Sequence, residues 1–492
     1  MLPAAHPILT CAGAHTLEKR LFAGDQAKEW QAMQMAGAAV GAAVLQDFRE
    51  IGGFPAGGRV LVVAGKGHNG GDALIAAAEI LRRESTAAAD VHFAYGVPAI
   101  RPHAMRAWRE LQQAFPERVR AVRLHGLAAT YAVALDGLFG YRYRPPLDGR
   151  ARPVLKKVNA LQVALRAAVD LPSGWTEEGA FQADFTYATG IVKAPLLDLP
   201  KAGRLRYLDL GFFAAEMPKA DAVLTSGVLA PLRTWRDPRA DKRKLGHLFV
   251  LGGSREYPGA VLMTVLAALK AGAGLVSAFV PESLVPAFAA RVPEAIWIGW
   301  PETPSGGLVL EGRHLLLERL DRAGAMVMGP GLGNDRESHA LLRDLVATVP
   351  HPVLLDADAL RPEIVQAARG RLVLTPHAGE FARIAGRSDL RSYARKSGAV
   401  VVLKGPVTRI AHGGRILHSF FGGPVLARGG SGDLLAGIIG AQLALTPADL
   451  PAAASRGVVW HGRAADALAR TRGAVAVRTT DLLDFLNEGL RL

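Results

Sequence analysis

The sequence predicts an α/β protein of two successive domains, each built around a mostly parallel β-sheet. Short apolar runs rich in β-branched residues alternate with helical segments from about residue 59 onward, which is typical of buried parallel strands joined by helices. The chain has 492 residues, whereas one domain usually has about 100–200. Glycine-rich motifs follow many of the predicted strands, where open α/β sheets bind their ligands.

The predicted elements form two series along the chain. Residues 17–48 carry apolar positions at helical spacing. The first strand series starts at RVLVVAG, residues 59–65, and continues through VHFAYG, YAVALDGLFG, RAAVDLPSG, DFTYATG and RLRYLDLGF. The second starts at GHLFVLGG, residues 246–253, and continues through GLVSAFVP, AMVMGPGLG, PVLLDADAL, RLVLTPHAGE and AVVVLKGP. A segment rich in proline and charge separates them, so we expect domains at 1–225 and 226–492.

Composition and charge exclude several classes of protein. No apolar stretch reaches the ~18–20 residues that a membrane span needs, and the N-terminus does not resemble a signal peptide. The single cysteine, Cys11, excludes an internal disulfide framework. We therefore expect a soluble cytoplasmic protein without a membrane partner. The net charge is +14 with scattered basic residues, a pattern that favours phosphorylated small molecules over nucleic acid as partners.

The segment GKGHNGGD, residues 65–72, is the first candidate binding motif. It contains Gly-x-Gly-x-x-Gly between a predicted strand and a predicted helix, which alone is a weak dinucleotide signature. The next strand, VHFAYG, ends without the acidic residue of an ordinary Rossmann dehydrogenase. That class of enzyme is therefore disfavoured.

The segment RGGSGDLLAG, residues 428–437, places Asp433 alone among glycines at the start of an apolar run. Asp433 could cap a helix, or it could be a base beside backbone N–H groups that hold an anion. Three other candidate site residues could also have a purely structural explanation. Asp170 could be a turn residue, Lys193 could be exposed, and His377 could be bonded to the backbone at a strand end.

The first half resembles the YjeF N-terminal family, the epimerases of hydrated NAD(P)H. VVAGKGHNGGDAL is similar to the family's signature loop, and ALDGLFG, AVDLPSG and ADFTYATGIVKAPLL match further motifs in the family order. The resemblance covers about residues 10–215 and implies a Rossmann-like three-layer sandwich. It also implies that Asp170 and Lys193 are catalytic, and a carboxylate is suited to moving protons.

The same resemblance implies the binding residues of the first half. The substrate contacts would be His68, Asn69, Gly70, Gly71, Asp72, Gly140 and Asp170. A potassium ion would be held by Asn69, Asp136 and Ser173, and oxygen ligands suit such a hard cation. His68 replaces an asparagine of the family, and Tyr141 stands where a small hydroxyl residue is usual. These departures leave open a non-catalytic N-terminal binding module.

The second half resembles the ADP/ATP-dependent NAD(P)H-hydrate dehydratases, which have a ribokinase-like fold. GPGLG, LLDADAL, TPHAGEFARI, VVLKGPVT and ARGGSGDLLAG follow in the family order. The resemblance implies that Asp433 is the base and that an anion hole is formed by Gly430, Ser431 and Gly432. The nucleotide would be bound by Lys404, Gly405, Pro406, Val407 and Thr408. The hydrate would be bound by Ala260, Gly331, His377 and Asp433. Asp356 and Asp358 would organise Mg²⁺ through water or hold the loop.

Together the two resemblances imply a bifunctional repair enzyme. It would epimerise R- and S-NAD(P)HX and use ADP to dehydrate S-NAD(P)HX to NAD(P)H, releasing AMP and phosphate. We expect ADP rather than ATP because the fused arrangement resembles the ADP-dependent branch, and we expect a homo-oligomer. The alternative is a ribokinase-like vitamin-precursor kinase with a non-catalytic N-terminal module. A stable phosphorylated product would identify that kinase.

Overall fold

The computed structural model describes residues 4–213, 220–368 and 371–491. The chain divides into two compact units. The N-terminal unit holds the described residues of His6–Ala214 and Ala469–Ala474, and the C-terminal unit holds those of Met1–Ala5, Ala215–Leu468 and Val475–Leu492. No helix within the three described ranges is both long and apolar enough to cross a membrane.

The N-terminal unit contains a parallel sheet with the strand order β4-β3-β2-β5-β6-β7-β9, and β1 pairs with β8 in parallel. Its strands are β1 (Ala5–Leu9), β2 (Arg59–Ala64), β3 (Ala88–Phe93), β4 (Val119–Ala121), β5 (Thr130–Gly137), β6 (Gln162–Val169), β7 (Phe185–Thr189), β8 (Val192–Lys193) and β9 (Arg204–Leu208). Its helices are α1 (Cys11–Phe22), α2 (Gln26–Phe48), α3 (His68–Arg83), α4 (Pro102–Ala114) and α5 (Ala151–Asn159).

Both faces of this sheet are covered, as the continuous apolar strands predict. Val60 and Val62 of β2 belong to the core formed with α2, α3 and α4. Leu61 and Val63 of the same strand belong to the core formed with α5. Because successive strand residues point to opposite faces, this alternation creates the predicted three-layer sandwich.

The C-terminal unit contains a sheet with the strand order β13-β12-β11-β14-β15-β16-β17-β18-β19-β10. Its strands are β10 (Ala222–Leu224), β11 (His247–Leu251), β12 (Leu275–Pro281), β13 (Ile296–Trp300), β14 (Ala325–Met328), β15 (Val353–Leu355), β16 (Leu372–Leu374), β17 (Val400–Leu403), β18 (Thr408–His412) and β19 (Arg415–Ser419). Its helices are α6 (Pro258–Lys270), α7 (Val285–Arg291), α8 (His314–Leu317), α9 (Arg336–Thr348), α10 (Pro362–Ala367), α11 (Ala378–Ala385), α12 (Leu390–Ser397), α13 (Ser431–Leu445), α14 (Leu450–Arg472) and α15 (Leu486–Arg491).

The strands from β11 to β17 pair in parallel, whereas β18 is antiparallel to both of its neighbours. Helix α13 packs against α6 and against β11 and β14, and its long apolar run is buried. The loops that follow β15, β16 and β17 lie at the same sheet edge, because parallel strands end together. This mostly parallel α/β sheet confirms the α/β architecture predicted for the second half.

Candidate functional site

A cavity of about 410 Å³ lies at the carboxyl ends of β2, β5 and β6 in the N-terminal unit. The predicted residues that line it are His68, Asn69, Asp72, Gly140, Asp170 and Lys193. They come from four separate motifs of the sequence. The fold thus brings together most of the side chains expected to contact substrate in the first half.

Lys193 and Asp170 form an ion pair in this cavity, with Lys193 Nζ donating a hydrogen bond to Asp170 Oδ1. Lys193 is only 1% exposed, so the exposed-lysine alternative is wrong. Asp170 has φ +70°, a conformation that costs a non-glycine residue about 1–3 kcal/mol. The Tyr141 backbone N–H donates to Asp170 Oδ2 at 3.2 Å. The carboxylate is therefore held on two sides.

The three predicted cation ligands lie close together, since Asn69 and Ser173 both donate to the Phe139 carbonyl and Ser173 also contacts Asp136. Ser173 donates to Asp136 through both its hydroxyl, at 2.6 Å, and its backbone N–H, at 2.7 Å. Asn69 Nδ2 donates to the Phe139 carbonyl at 2.8 Å, which leaves Asn69 Oδ1 available. Burial raises the pKa of Asp136 to about 6. A cation among these oxygens would compensate the buried carboxylate, so the donor set fits potassium.

Gly70 and Gly71 pack closely against other parts of the N-terminal unit. A Cβ on Gly70 would lie 2.6 Å from the Gly65 carbonyl, and one on Gly71 would lie 2.5 Å from Met33 Sδ. Both distances are far shorter than van der Waals contact. These two glycines face protein and let α3 begin close to the strand ends, which brings Asn69 and Asp72 to the cavity.

Glu18 is a cavity residue that the sequence motifs did not indicate. It lies on α1, outside every recognised motif, and accepts a hydrogen bond from the Tyr141 hydroxyl. Burial raises its pKa, although Arg142, 3.5 Å away, opposes this. Lys193 Nζ lies 5.3 Å from the centre of the Tyr141 ring. Tyr141 thus connects α1 to the ion pair. From the sequence alone, the one feature that could have pointed to Glu18 is the unusual Tyr141, whose hydroxyl needs a hydrogen-bond partner.

Asp433 lies in the first turn of α13 but does not cap the helix. The N-cap residue is Gly430, whose φ of +88° favours glycine, and no side chain caps this helix end. Burial raises the pKa of Asp433 to about 7, and the negative charge of Asp356 adds to the effect. The capping alternative is therefore wrong, and Asp433 has the acidity of a base that works near neutral pH.

Lys404 and Asp356 pair beside the start of α13. Lys404 Nζ lies 3.0 Å from Asp356 Oδ1 and 3.9 Å from Glu380 Oε2. A Cβ on Gly432 would lie 3.3 Å from Lys404 Nζ. An ammonium group, backbone N–H groups and the positive helix end therefore meet at one point, which is suited to an anion. Gly405 to Val407 form the partly exposed loop between β17 and β18, and Thr408 begins β18.

Ala260 and Gly331 lie beside each other and near Asp433. A Cβ on Gly331 would lie 3.0 Å from Ala260 Cβ. Thr264, one turn further along α6, donates to the Asp433 backbone carbonyl at 3.2 Å. Asp358 accepts from the Gly333 backbone N–H at 2.9 Å, so it holds the loop after β14. No group of three or more His, Cys, Asp or Glu side chains in the described part of the chain could hold a metal ion.

His377 caps a helix in the described structure. Its Nδ1 accepts from the backbone N–H groups of Gly379, at 3.0 Å, and Glu380, at 3.3 Å, at the start of α11. The residue pairs with Lys404 in an isolated parallel bridge, which places it at the same sheet edge as the anion site. The backbone-bonded alternative is confirmed, and His377 Nε2, the other ring nitrogen, lies 3.5 Å from Glu380 Oε1.

Comparison with known proteins gives matches to both halves. Residues 248–488 match the family model described as NAD(P)H-hydrate dehydratase, and residues 29–194 match the YjeF-related protein N-terminus. The bifunctional NAD(P)H-hydrate repair enzyme of Moorella thermoacetica is 34% identical, over 90% of this chain and 89% of that protein. The enzyme of that name from Gloeobacter violaceus is 35% identical, over 96% of this chain and 95% of that protein.

Among solved structures, the ADP/ATP-dependent NAD(P)H-hydrate dehydratase from Bacillus subtilis is 28% identical with a TM-score of 0.47. The match covers 56% of this chain and 98% of that one. The two full-length matches span both the cavity around Asp170 and the loop that carries Asp433. The chain belongs to the family of bifunctional NAD(P)H-hydrate repair enzymes.

Proposed function

We propose that this protein restores hydrated nicotinamide cofactors through two activities. Residues 1–225 would interconvert R- and S-NAD(P)HX, and residues 226–492 would dehydrate S-NAD(P)HX to NAD(P)H with ADP, releasing AMP and phosphate. The observation that carries the proposal is the match to repair enzymes over at least nine-tenths of the chain. Reduced cofactors and ADP are metabolites of the cell interior, so the proposal places the activity in the cytoplasm.

In the dehydratase half, Asp433 takes the proton from the hydroxyl group of the hydrated ring. This makes the hydroxyl oxygen a better nucleophile toward the terminal phosphoryl group of the nucleotide. The backbone of Gly430, Ser431 and Gly432 stabilises that group during transfer. Phosphate then leaves the ring carbon, the neighbouring ring carbon loses a proton to solvent, and the double bond formed between the two carbons restores the dihydronicotinamide. The raised pKa of Asp433 supports its role, since a base is most effective when its pKa is near the working pH.

The remaining dehydratase roles follow from position. The loop from Lys404 to Thr408 binds the nucleotide phosphates and adenosine, and the hydrate contacts Ala260, Gly331 and His377 Nε2. The negative charges of Asp356 and Asp358 act on Asp433, and such a concentration of charge fits Mg²⁺ held through water. Magnesium would neutralise charge on the nucleotide phosphates when bound.

In the epimerase half, Asp170 and Lys193 lie against the hydrated ring and move protons there. Asn69, Asp136 and Ser173 would hold potassium, which when bound would supply a fixed positive charge near the substrate. The buried ion pair in a cavity supports an active site rather than a non-catalytic module, because burying both charges away from water costs free energy. His68, Asn69 and Asp72 contact the substrate from the start of α3, and Gly140 contacts it from the loop after β5.

The test is an assay of the full chain with mixed hydrate epimers and either ADP or ATP. We expect the near-ultraviolet absorbance of reduced cofactor to return, with one phosphate released per cofactor restored and ADP the better donor. A stable phosphorylated product would instead show a small-molecule kinase. Sedimentation of the same sample tests for the expected homo-oligomer.

A further inference from the structure

Asp72 is a second carboxyl group in the N-terminal cavity, and the ion pair described above does not involve it. It lies on α3, one turn after Asn69, and lines the same cavity as Asp170 and Lys193. Among the described residues, no side chain or backbone group pairs with its carboxyl group. A carboxyl group without a protein partner at the wall of a cavity is available to a ligand.

Burial and the neighbouring charges favour the protonated form of Asp72. Burial raises its pKa well above the usual range, and the negative charges of Asp170 and Glu18 raise it further, whereas Lys193 opposes them. These are the charged groups that act on Asp72 from α1, β8 and the loop after β6. Asp170 is paired with an ammonium group, whereas Asp72 has none. One cavity thus holds an ion-paired carboxylate and an unpaired carboxyl group whose protonated form is favoured, an arrangement that typically separates base and acid roles.

We propose that Asp72 is the general acid of the epimerase cavity and protonates the hydroxyl group of the hydrated nicotinamide ring. This inference rests on the proposed function and adds a catalytic residue to it. Glu18 is less suited to the role, because its carboxylate already accepts a hydrogen bond from Tyr141 and lies 3.5 Å from Arg142.

The proposed step changes the configuration of one carbon and leaves the overall composition unchanged. The C–O bond of the hydrated carbon breaks, its electron pair leaves with the oxygen, and the Asp72 proton converts that oxygen to water. The lone pair of the ring nitrogen forms a C=N bond, and the Asp170 carboxylate stabilises the resulting cation. Water then adds to the opposite face, the π electrons return to nitrogen, and the Asp170 carboxylate takes the proton released by this water and passes it back to Asp72.

The test uses full-length Asp72→Asn and Asp72→Ala, with Asp25→Asn as the matched control. Asp25 is exposed and caps α2 through its side-chain oxygen, and asparagine can do the same. With mixed epimers and ADP, dehydration of the S epimer gives a fast first phase that reports an intact C-terminal unit, and a circular dichroism melting curve of the same variant reports folding of the whole chain. We expect Asp72→Asn to keep this phase and to slow the epimerase-dependent second phase by about 10²- to 10⁴-fold.

Two further measurements separate an acid from a residue that only shapes the cavity. Formate should partly restore the second phase of Asp72→Ala, with greater rescue at lower pH, because the small acid replaces the missing proton donor. Infrared spectra at neutral pH should show a protonated carboxylic acid in the wild type that is missing in Asp72→Asn. A near-normal second phase in Asp72→Asn, loss without formate rescue, or the absence of this infrared band would each overturn the proposal. A wild-type second phase no faster than spontaneous epimerisation would instead overturn the epimerase function itself.

Discussion

Lys193 Nζ donates a hydrogen bond to Asp170 Oδ1 in the N-terminal unit, and both side chains are almost completely buried. Removing one member of such a pair leaves an uncompensated charge in the protein interior, which typically costs about 3–5 kcal/mol. The pair therefore links the stability of this unit to the chemistry of its cavity.

We predict that Lys193→Met destabilises the N-terminal unit by about 3–5 kcal/mol and abolishes epimerisation. Methionine fills a similar volume but leaves Asp170 without a counter-ion. Urea unfolding followed by tryptophan fluorescence measures the loss, and Lys193→Met/Asp170→Asn should recover much of it because no unpaired charge remains. A double variant as unstable as the single one would show that packing, rather than charge, explains the loss.

We predict that Asp433→Asn lowers dehydration by about 10²- to 10⁴-fold, the usual cost of losing a positioned base. Nucleotide binding should remain nearly intact, because backbone groups and Lys404 carry it. Turnover and calorimetric titration with ADP measure the two effects. The matched control is Asp389→Asn, since Asp389 is an exposed N-cap that asparagine can replace. Wild-type turnover by Asp433→Asn would refute the assignment.

The raised pKa of Asp433 also predicts how activity and stability depend on pH. The base is active when ionised, so dehydration should rise with pH through about 7, where burial places this pKa. Because its pKa is raised, Asp433 binds a proton more tightly in the folded state than in the unfolded state. The free energy of unfolding therefore falls as pH rises from the usual carboxyl pKa to about 7. Asp433→Asn should therefore raise the melting temperature relative to wild type, and by more at pH 8 than at pH 5. An equal rise in melting temperature at pH 5 and pH 8 would contradict the raised pKa of Asp433.

The sequence predicted the architecture well because the strands are buried. Apolar runs such as 59–65 and 246–253 predict parallel strands directly, and the motifs placed Asp170 after a strand and Asp433 at the start of an apolar helical run. The sequence could not show which glycines meet a ligand. Gly70 and Gly71 pack against protein, a distinction that depends on atoms distant in sequence.

Glu18 is a cavity residue that no sequence motif identified. Its helical segment reads as an ordinary amphipathic helix, and only the fold brings its carboxylate to Tyr141. His377 was assigned to the hydrate pocket from a motif, whereas its imidazole also caps α11. Motifs identify which residues a family uses, but contacts made across the fold decide what each side chain does.

We predict that epimerisation requires potassium. Asp136 is fully buried, and a cation among the oxygens of Asn69, Asp136 and Ser173 would offset its negative charge. Replacing potassium with tetramethylammonium, which is too large for these ligands, should slow the second phase of cofactor recovery and leave the first unchanged. Potassium should also raise the melting temperature of wild type but not that of Asp136→Ala. Epimerisation at the full rate in tetramethylammonium would contradict this prediction.

The final prediction concerns whether the two halves have separate active sites. Each unit has its own glycine-rich loop and its own acid, so we expect the two sites to act on opposite epimers of one metabolite without a shared catalytic residue. A dehydratase specific for the S epimer would then stop at partial conversion of a mixed pool until the R epimer is converted. Asp170→Asn should therefore keep the fast first phase of cofactor recovery and slow the second, whereas Asp433→Asn should remove both. Adding wild-type epimerase activity from the Asp433→Asn protein to the Asp170→Asn protein should restore the second phase, because the epimer diffuses freely between molecules. Loss of both phases in a folded Asp170→Asn protein would show instead that the two halves share one active site.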